Sequence, residues 1–113
     1  MSHLISRIPV TIPNGTSLSN AVILDGLRPS VIHAPTAWDA ACLTFQGSGD
    51  GTVWGHLFSH LGVEITCNIA VSFRIPITFT GIEDNMAIKI RSGTAGAPVN
   101  QSADRIIYLE FWE

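Results

Sequence analysis

Apolar and polar residues alternate in short runs along the whole chain, and this two-residue period is typical of strands with one buried face. Glycine, proline and asparagine separate the runs, and no segment carries helical spacing over about ten residues. The pattern predicts about eight or nine strands, at residues 8–12, 21–24, 30–34, 41–46, 53–58, 63–66, 71–79, 86–91 and 105–112.

Short strands separated by turn residues predict an all-β fold, namely a single-domain antiparallel β-sandwich of the jelly-roll type. A chain of 113 residues can bury one two-layer core and is too short for a second. We expect residues 1–7 to form a flexible N-terminal arm and residues 8–113 to form the sandwich. Pro9 and Pro13 stand near the two ends of the first strand, which predicts a position at a sheet edge.

The inward-facing positions of these runs form the predicted core. The longest run, residues 71–79, contains Pro76, so we expect an edge strand or two pieces bent near the proline. The last strand sends Ile107, Leu109 and Phe111 inward and the residues between them outward. The predicted core consists of Leu43, Phe45, Val71, Phe73, Ile75, Ile88, Ile90, Ile107 and Leu109.

Residues 41–58 predict a β-hairpin that carries several aromatic side chains. Three glycines within residues 47–51 supply the backbone freedom for a tight reversal. Residues 53–58 then run back as the partner strand, with Trp54, His56 and Phe58 on one face. Because the other face of this strand is also apolar, a neighbour within or outside the domain must cover one of the two faces.

Composition narrows the classes of partner. Apolar residues make up 46% of the chain and charged residues only 13%, against about 25% in most soluble domains. A net charge of −3 argues against a nucleic-acid partner, which requires a clustered basic face. The sequence shows no membrane-spanning run and no signal peptide, so we expect no membrane partner and production in the cytosol. Apolar surface at low charge favours protein partners.

The two cysteines, Cys42 and Cys67, would permit one disulfide. A cytosolic product normally keeps its thiols reduced. We therefore expect both to be free thiols, packed as small apolar side chains or exposed at the surface.

No residue pattern predicts a cofactor, a metal or an enzyme. His56 and His60 are four apart on a strand and its turn, a span of about 13 Å that is too long for one ion. Asp50 lies in a glycine-rich turn without the further oxygen ligands of a calcium loop, so turn chemistry explains it better. Ser48 lacks the Gly-x-Ser-x-Gly context of a nucleophile elbow.

Large side chains that the alternation leaves outside the core are candidate contact residues, because aromatic residues anchor protein interfaces and also line ligand grooves. In the last strand, three such residues lie opposite the inward set. The proposed interface residues are Ile106, Tyr108, Trp112, Trp54 and Trp38. A glycan-binding platform is the alternative, and the group that could form it is Trp54, His56, Asp50 and Gln46.

Two stretches carry a resemblance to a known group of proteins. Residues 38–51 follow the pattern Trp-x-x-Ala-x-Leu-Thr-Phe-Gln-x-Ser-x-Asp-Gly, and residues 89–94 read Lys-Ile-Arg-Ser-Gly-Thr. Both resemble small proteins encoded among the structural genes of tailed phages, over roughly residues 8–110. The chain departs from that group at residues 54–58, where an acidic, polar strand would be expected. It also looks distantly similar to discoidin-type jelly rolls.

The resemblance implies a virion component, and the kind that it favours is a capsid decoration or cement protein. Such a protein would be made in the host cytoplasm, bind the major capsid protein on the outside of the shell and stabilise it by bridging subunits, often as a homotrimer. A tail or fibre component, or a carbohydrate-binding module of a virion, is the alternative that the same resemblance allows.

Overall fold

Eight strands form two four-stranded antiparallel sheets in the computed structural model, which describes residues 3–24, 26–77 and 81–113. A single 3₁₀ turn at Ile82–Asp84 is the only helical segment of this part of the chain. The all-β prediction is therefore confirmed. The strands are β1 (Leu4–Ile12), β2 (Val22–Ile23), β3 (Val31–His33), β4 (Leu43–Ser48), β5 (Gly55–His56), β6 (Arg74–Pro76), β7 (Ala87–Ser92) and β8 (Arg105–Trp112).

The order of the strands is that of a jelly roll. It runs β1-β8-β3-β6 in the first sheet and β2-β7-β4-β5 in the second. The first strand thus pairs with the last, the second with the seventh, the third with the sixth and the fourth with the fifth. The chain is a long double ribbon closed at the β4-β5 hairpin and wrapped into two facing sheets, as the turn-rich pattern of short strands predicts.

The first strand is longer than its alternation predicts. β1 begins at Leu4 and pairs along its length with β8. His3 and Glu113 extend the ladder through two backbone hydrogen bonds of 3.3 and 2.9 Å. This corrects the expected flexible arm of residues 1–7 from His3 onward, because pairing with the last strand satisfies these backbone groups; residues 1 and 2 lie outside the described part. As its prolines predict, β1 is an edge strand.

Apolar side chains from both sheets fill the space between them. Ile75, a predicted core residue, is only partly buried and packs against this cluster. The predicted core residues that are fully buried are Leu43, Phe45, Ile88, Ile90, Ile107 and Leu109. The core also contains Val10, Ile12, Val22, Leu24, Ile32, Cys67, Ile77, Ile82 and Phe111.

Two predicted core residues, Val71 and Phe73, are about half exposed, at 49% and 50%. The alternation that placed them inside does not continue as a strand, because the backbone turns before β6. Ser72 has a left-handed φ of 61°, and the N–H of Phe73 donates to the carbonyl of Ala70 at 3.2 Å. The core prediction is wrong at these two positions. β6 is a short edge strand that contains Pro76, and Phe79 lies outside the described residues.

The hairpin at the closed end of the ribbon forms as predicted. Gln46 pairs with His56 and Gly47 with Gly55, and the N–H of Leu57 donates to the Phe45 carbonyl at 3.0 Å. The strand predicted at residues 63–66 is reduced to isolated bridges, although the turn before it is present.

Candidate protein-binding surfaces

Glu110 is a buried acid on the outer face of the first sheet, where the side chains of an alternating strand are ordinarily exposed to solvent. It is 3% exposed, although its neighbours Leu109 and Phe111 take the inward positions. Cross-strand pairing places Arg7 beside it on β1 and Val31 on β3. A buried carboxylate requires partners of opposite charge, and the adjacent strands provide them.

Two arginines and a tryptophan hold the Glu110 carboxylate. Arg74 donates from Nη1 to Oε2 and from Nη2 to Oε1, both at 2.8 Å, in the bidentate geometry that arginine favours. Trp112 Nε1 donates to Oε1 at 2.8 Å, and Arg7 Nε lies 3.3 Å from Oε2. The hydrogen bonds from Arg74, followed by those from Trp112 and the charges of both arginines, lower the pKa of Glu110 to about 2, although burial acts in the opposite direction.

Arg7 also stacks on an aromatic ring. Its guanidinium carbon lies 3.9 Å from the centre of the Tyr108 ring, a cation–π arrangement. The ring supports the guanidinium from one side while Glu110 holds Nε. The position of the Arg7 head group is therefore fixed by two neighbours, although the side chain is 43% exposed.

A groove of about 310 Å³ opens beside Tyr108. Arg74 Nη1 lies 3.2 Å from Nδ1 of His33 at its wall, and because arginine can only donate, this nitrogen accepts. The residues that line the groove are Arg7, His33, Ala34, Pro35, Thr36, Ala37, Asp104, Arg105, Ile106 and Tyr108. We call this surface the β8 face, defined by Arg7, His33, Arg74, Ile106, Tyr108, Glu110 and Trp112.

A second candidate surface is a short apolar hairpin that follows β5. The N–H of Ser59 donates to the Val63 carbonyl at 2.8 Å, and the N–H of Gly62 to the Ser59 carbonyl at 2.9 Å. Gly62 has a φ of +78°, which closes a tight turn. Residues other than glycine adopt this backbone conformation only at an energetic cost. Phe58, Leu61 and Val63 remain 50%, 78% and 63% exposed. We call residues 58–64 the apolar hairpin.

The outer face of the second sheet is closed by a buried arginine. Arg91 is 4% exposed and donates from Nη2 to Glu64 at 3.1 Å and from Nε to Thr44 at 2.9 Å. Its Nη1 lies 3.0 Å from Nδ1 of His56, which accepts. Glu64 in turn accepts the N–H of Ala95 at 3.0 Å. These contacts tie the segments that carry Glu64 and Ala95 to the sheet, so we interpret the cluster as structural.

Of the four residues of the alternative glycan platform, Gln46 pairs across the strands with His56 and with Lys89, the residue beside Trp54, whereas Asp50 is engaged elsewhere. Asp50 uses its carboxylate inside its own turn, where Oδ1 accepts the N–H groups of Thr52 and Val53 at 2.8 and 2.9 Å. These bonds, that of Val53 first, lower the pKa of Asp50. Lys89 Nζ lies 4.4 Å from the centre of the Trp54 ring and occupies one of its faces. Turn chemistry therefore accounts for Asp50, as the sequence predicts.

The five predicted interface residues lie in three different places. Ile106, Tyr108 and Trp112 share the β8 face, as the alternation of the last strand predicts. Trp54 lies on the opposite side of the sandwich, near Lys89 of β7. Trp38 packs partly buried against the core, and its Nε1 donates to the Ala41 carbonyl at 3.0 Å. The structure therefore does not join all five into one surface.

Both cysteines are free thiols, as predicted. Cys67 is buried, and burial, with a smaller contribution from Cys42, raises the pKa of its thiol. Within the described ranges no three or more histidine, cysteine, aspartate or glutamate side chains are grouped as a metal site would need. The same ranges contain no helix long and apolar enough to cross a bilayer.

Sequence reasoning missed the functional candidates that depend on neighbouring strands. The expected N-terminal arm includes Arg7, and nothing in the alternation marks Glu110 as buried. The turn beside Phe58 and Val63 is apparent from the sequence, but only the exposure of these side chains in the described part of the chain makes the apolar hairpin a contact candidate.

Comparisons of the chain with protein-family models, with curated proteins and with solved structures return no match. The interpretation of these surfaces therefore depends on their chemistry and on the sequence patterns.

Proposed function

We propose that the protein is a non-enzymatic structural component that binds a larger protein assembly, and that this assembly is the capsid of a tailed phage. In this role it decorates the outside of the shell, contacts the major capsid protein and bridges its subunits. The sequence patterns at residues 38–51 and 89–94 support the choice of assembly. The exposed side chains of the apolar hairpin support the binding role.

The apolar hairpin is the observation that carries the proposal. Phe58, Leu61 and Val63 are large apolar residues within six positions, and all are at least half exposed. Apolar side chains grouped in this way are typical of surfaces that another protein covers. Since permanent contacts between identical subunits are more apolar than transient ones, we assign the hairpin to contacts between copies in a homotrimer.

The β8 face is assigned to the contact with the shell. It combines the aromatic residues Tyr108 and Trp112 with two arginines held in fixed positions, and these residue types are enriched among the dominant contacts of protein interfaces. This assignment places the contacts between copies on the apolar hairpin and the contact with the shell on the polar β8 face. A polar, charged face suits recognition of a different protein better than a permanent contact between copies.

The test is to mix the purified protein with expanded tailed-phage capsids that lack a decoration protein and to examine them by electron cryomicroscopy. We expect regular additional density at the subunit junctions. Leu61→Ser should weaken self-association in sedimentation at tens of micromolar, whereas Val71→Ser, which alters an exposed residue outside the apolar hairpin, should not. A capsid without additional density, combined with saturable binding on a glycan array, would replace this proposal with the carbohydrate-binding alternative.

A further inference from the structure

The groove on the β8 face is lined mainly by hydrogen-bond donors. Arg7 contacts Glu110 only through Nε, and its Nη1 and Nη2 donate no hydrogen bond within the part of the chain that the structure describes. Tyr108 and Thr36, whose side chains carry hydroxyl groups, also line the groove. The polar groups that remain available are therefore chiefly donors, which suits a ligand rich in acceptor oxygens.

His33 adds a further donor because its tautomer is fixed. Its Nδ1 accepts from Arg74, so the proton of the neutral ring is on Nε2. Arg74 cannot reverse this arrangement, because a guanidinium has no acceptor. The hydrogen bond on the sheet thus determines that His33 presents an N–H at its other nitrogen.

The charge next to Arg7 is positive, whereas the groove as a whole is balanced, because Arg7, Arg74 and Arg105 are matched by the carboxylates of Glu110, Asp39 and Asp104. Arg7 and Arg74 both contact the single carboxylate of Glu110, which leaves one positive charge in excess among the three groups. Arg105 also lines the groove and is paired with Asp39 at 2.8 Å. The guanidinium groups of Arg7 and Arg105 are held in place by these contacts and keep unused N–H donors, so together they suit one anionic group.

The acidic residue Asp104 limits the kind of anion. It lines the groove, and its Oδ1 accepts the N–H of Asn14 at 2.7 Å. Its negative charge disfavours a polyanion such as a nucleic-acid backbone more than a single carboxylate. A sugar ligand would need a free aromatic face, and one face of the Tyr108 ring is occupied by Arg7. An acidic side chain on a protein fits these constraints best.

We propose that the groove lined by Arg7, His33, Arg105 and Tyr108 binds a carboxylate side chain of the partner protein, with the Nη groups of Arg7 as its bidentate donors. The stacking on Tyr108 and the contact with Glu110 fix the guanidinium before binding, so little conformational freedom is lost on association. This inference depends on the proposed binding of another protein by the β8 face.

The experiment is a titration of ¹⁵N-labelled protein with a capped tetraglutamate peptide, followed by NMR, with a capped tetraglutamine peptide as the control ligand. We expect saturable shifts of the Arg7 Nε–H signal and of amide signals around Tyr108 with glutamate only. Arg7→Gln should weaken binding about tenfold or more, because hydrogen bonds to a charged group are lost. Arg7→Lys keeps the positive charge but loses the two parallel N–H donors of the guanidinium group, so it should also weaken peptide binding.

Arg28→Gln is the matched control, since it removes the same charge from an exposed arginine that does not line the groove. It should bind tetraglutamate like the unaltered protein, and urea unfolding should show that each variant is folded. Equal shifts with both peptides, equal weakening by Arg28→Gln, or tighter binding of a short oligonucleotide or of an acidic oligosaccharide would overturn the proposal. If the protein bound the glutamate peptide but no capsid, the proposal of a phage capsid as partner would be contradicted and the carboxylate-binding groove would stand.

Discussion

Arg74 and Glu110 form a bidentate ion pair on the outer face of the first sheet, although the two residues are 36 positions apart in the sequence. β6 and β8 each pair with β3, on its two sides, so the arginine reaches across β3 to the carboxylate. Arg7 approaches the same carboxylate from β1. One acid therefore links side chains from both edge strands of the sheet to its centre.

The ion pair predicts a specific dependence of stability on pH. The pKa of Glu110 is about 2 in the folded protein and about 4.5 without the fold, so the charged form favours folding. This contribution, between about 1 and 3 kcal/mol, is fully present above about pH 5 and is lost as the pH falls toward 2. Urea unfolding from neutral to acidic pH measures it.

Glu110→Gln is the variant that isolates this effect from the other carboxylates. Its stability should be lower at neutral pH, and its difference from the unaltered protein should shrink as the pH falls. A constant difference over the whole range would show that the ion pair does not produce the pH dependence.

Truncation of a core side chain on the second sheet should be costly. Leu43 and Ile88 are fully buried, so Leu43→Ala or Ile88→Ala should lower the free energy of unfolding by about 2 to 5 kcal/mol, because a cavity is added to the lost transfer energy. Val71→Ala, at a half-exposed position, should change it by less than about 1 kcal/mol. Chemical denaturation provides the comparison, and similar losses at all three positions would contradict the observed burial.

Gly93 should not tolerate a side chain. Its φ is +88°, and a Cβ atom there would lie 2.6 Å from the Ala97 carbonyl oxygen and 2.8 Å from the Val99 nitrogen. Gly93→Ala should therefore destabilise the protein by about 1 to 3 kcal/mol in thermal or urea unfolding. Gly49→Ala is the control, since a Cβ at Gly49 meets no atom within 4 Å. Equal effects of the two substitutions would argue against the tight loop after β7.

Glu64 should be needed for stability because it pairs with a buried cation. The side chains of Arg91 and Glu64 are 5% and 15% exposed. Glu64→Gln leaves Arg91 buried without a carboxylate and should cost about 3 kcal/mol in urea unfolding. Asp84→Asn removes an exposed carboxylate from the 3₁₀ turn and should cost much less. If the two variants were equally stable, the Arg91 cluster would not have the structural role assigned to it.

The local pattern of apolar and polar residues was sufficient to predict a strand and its inward side chains where one face of the strand is buried over its full length. The bounds of β8, the inward set of Ile107, Leu109 and Phe111, and the β4-β5 hairpin all follow from alternation and turn residues. The same reasoning failed at Val71 and Phe73, because alternation cannot show that the backbone turns at Ser72. It also missed residues 4–7, whose place in the sheet depends on β8 at the other end of the chain.

The sequence by itself determined the strand class, the approximate strand positions and part of the core, because period-two burial and turn chemistry are properties of neighbouring residues. Tertiary structure alone decided which outward side chains are buried and which are exposed. Glu110 is covered because β1 and β6 bring Arg7 and Arg74 to it, whereas Leu61 lies at a turn that no element of the described residues covers. Such contacts join residues far apart in the chain, and no local pattern encodes them.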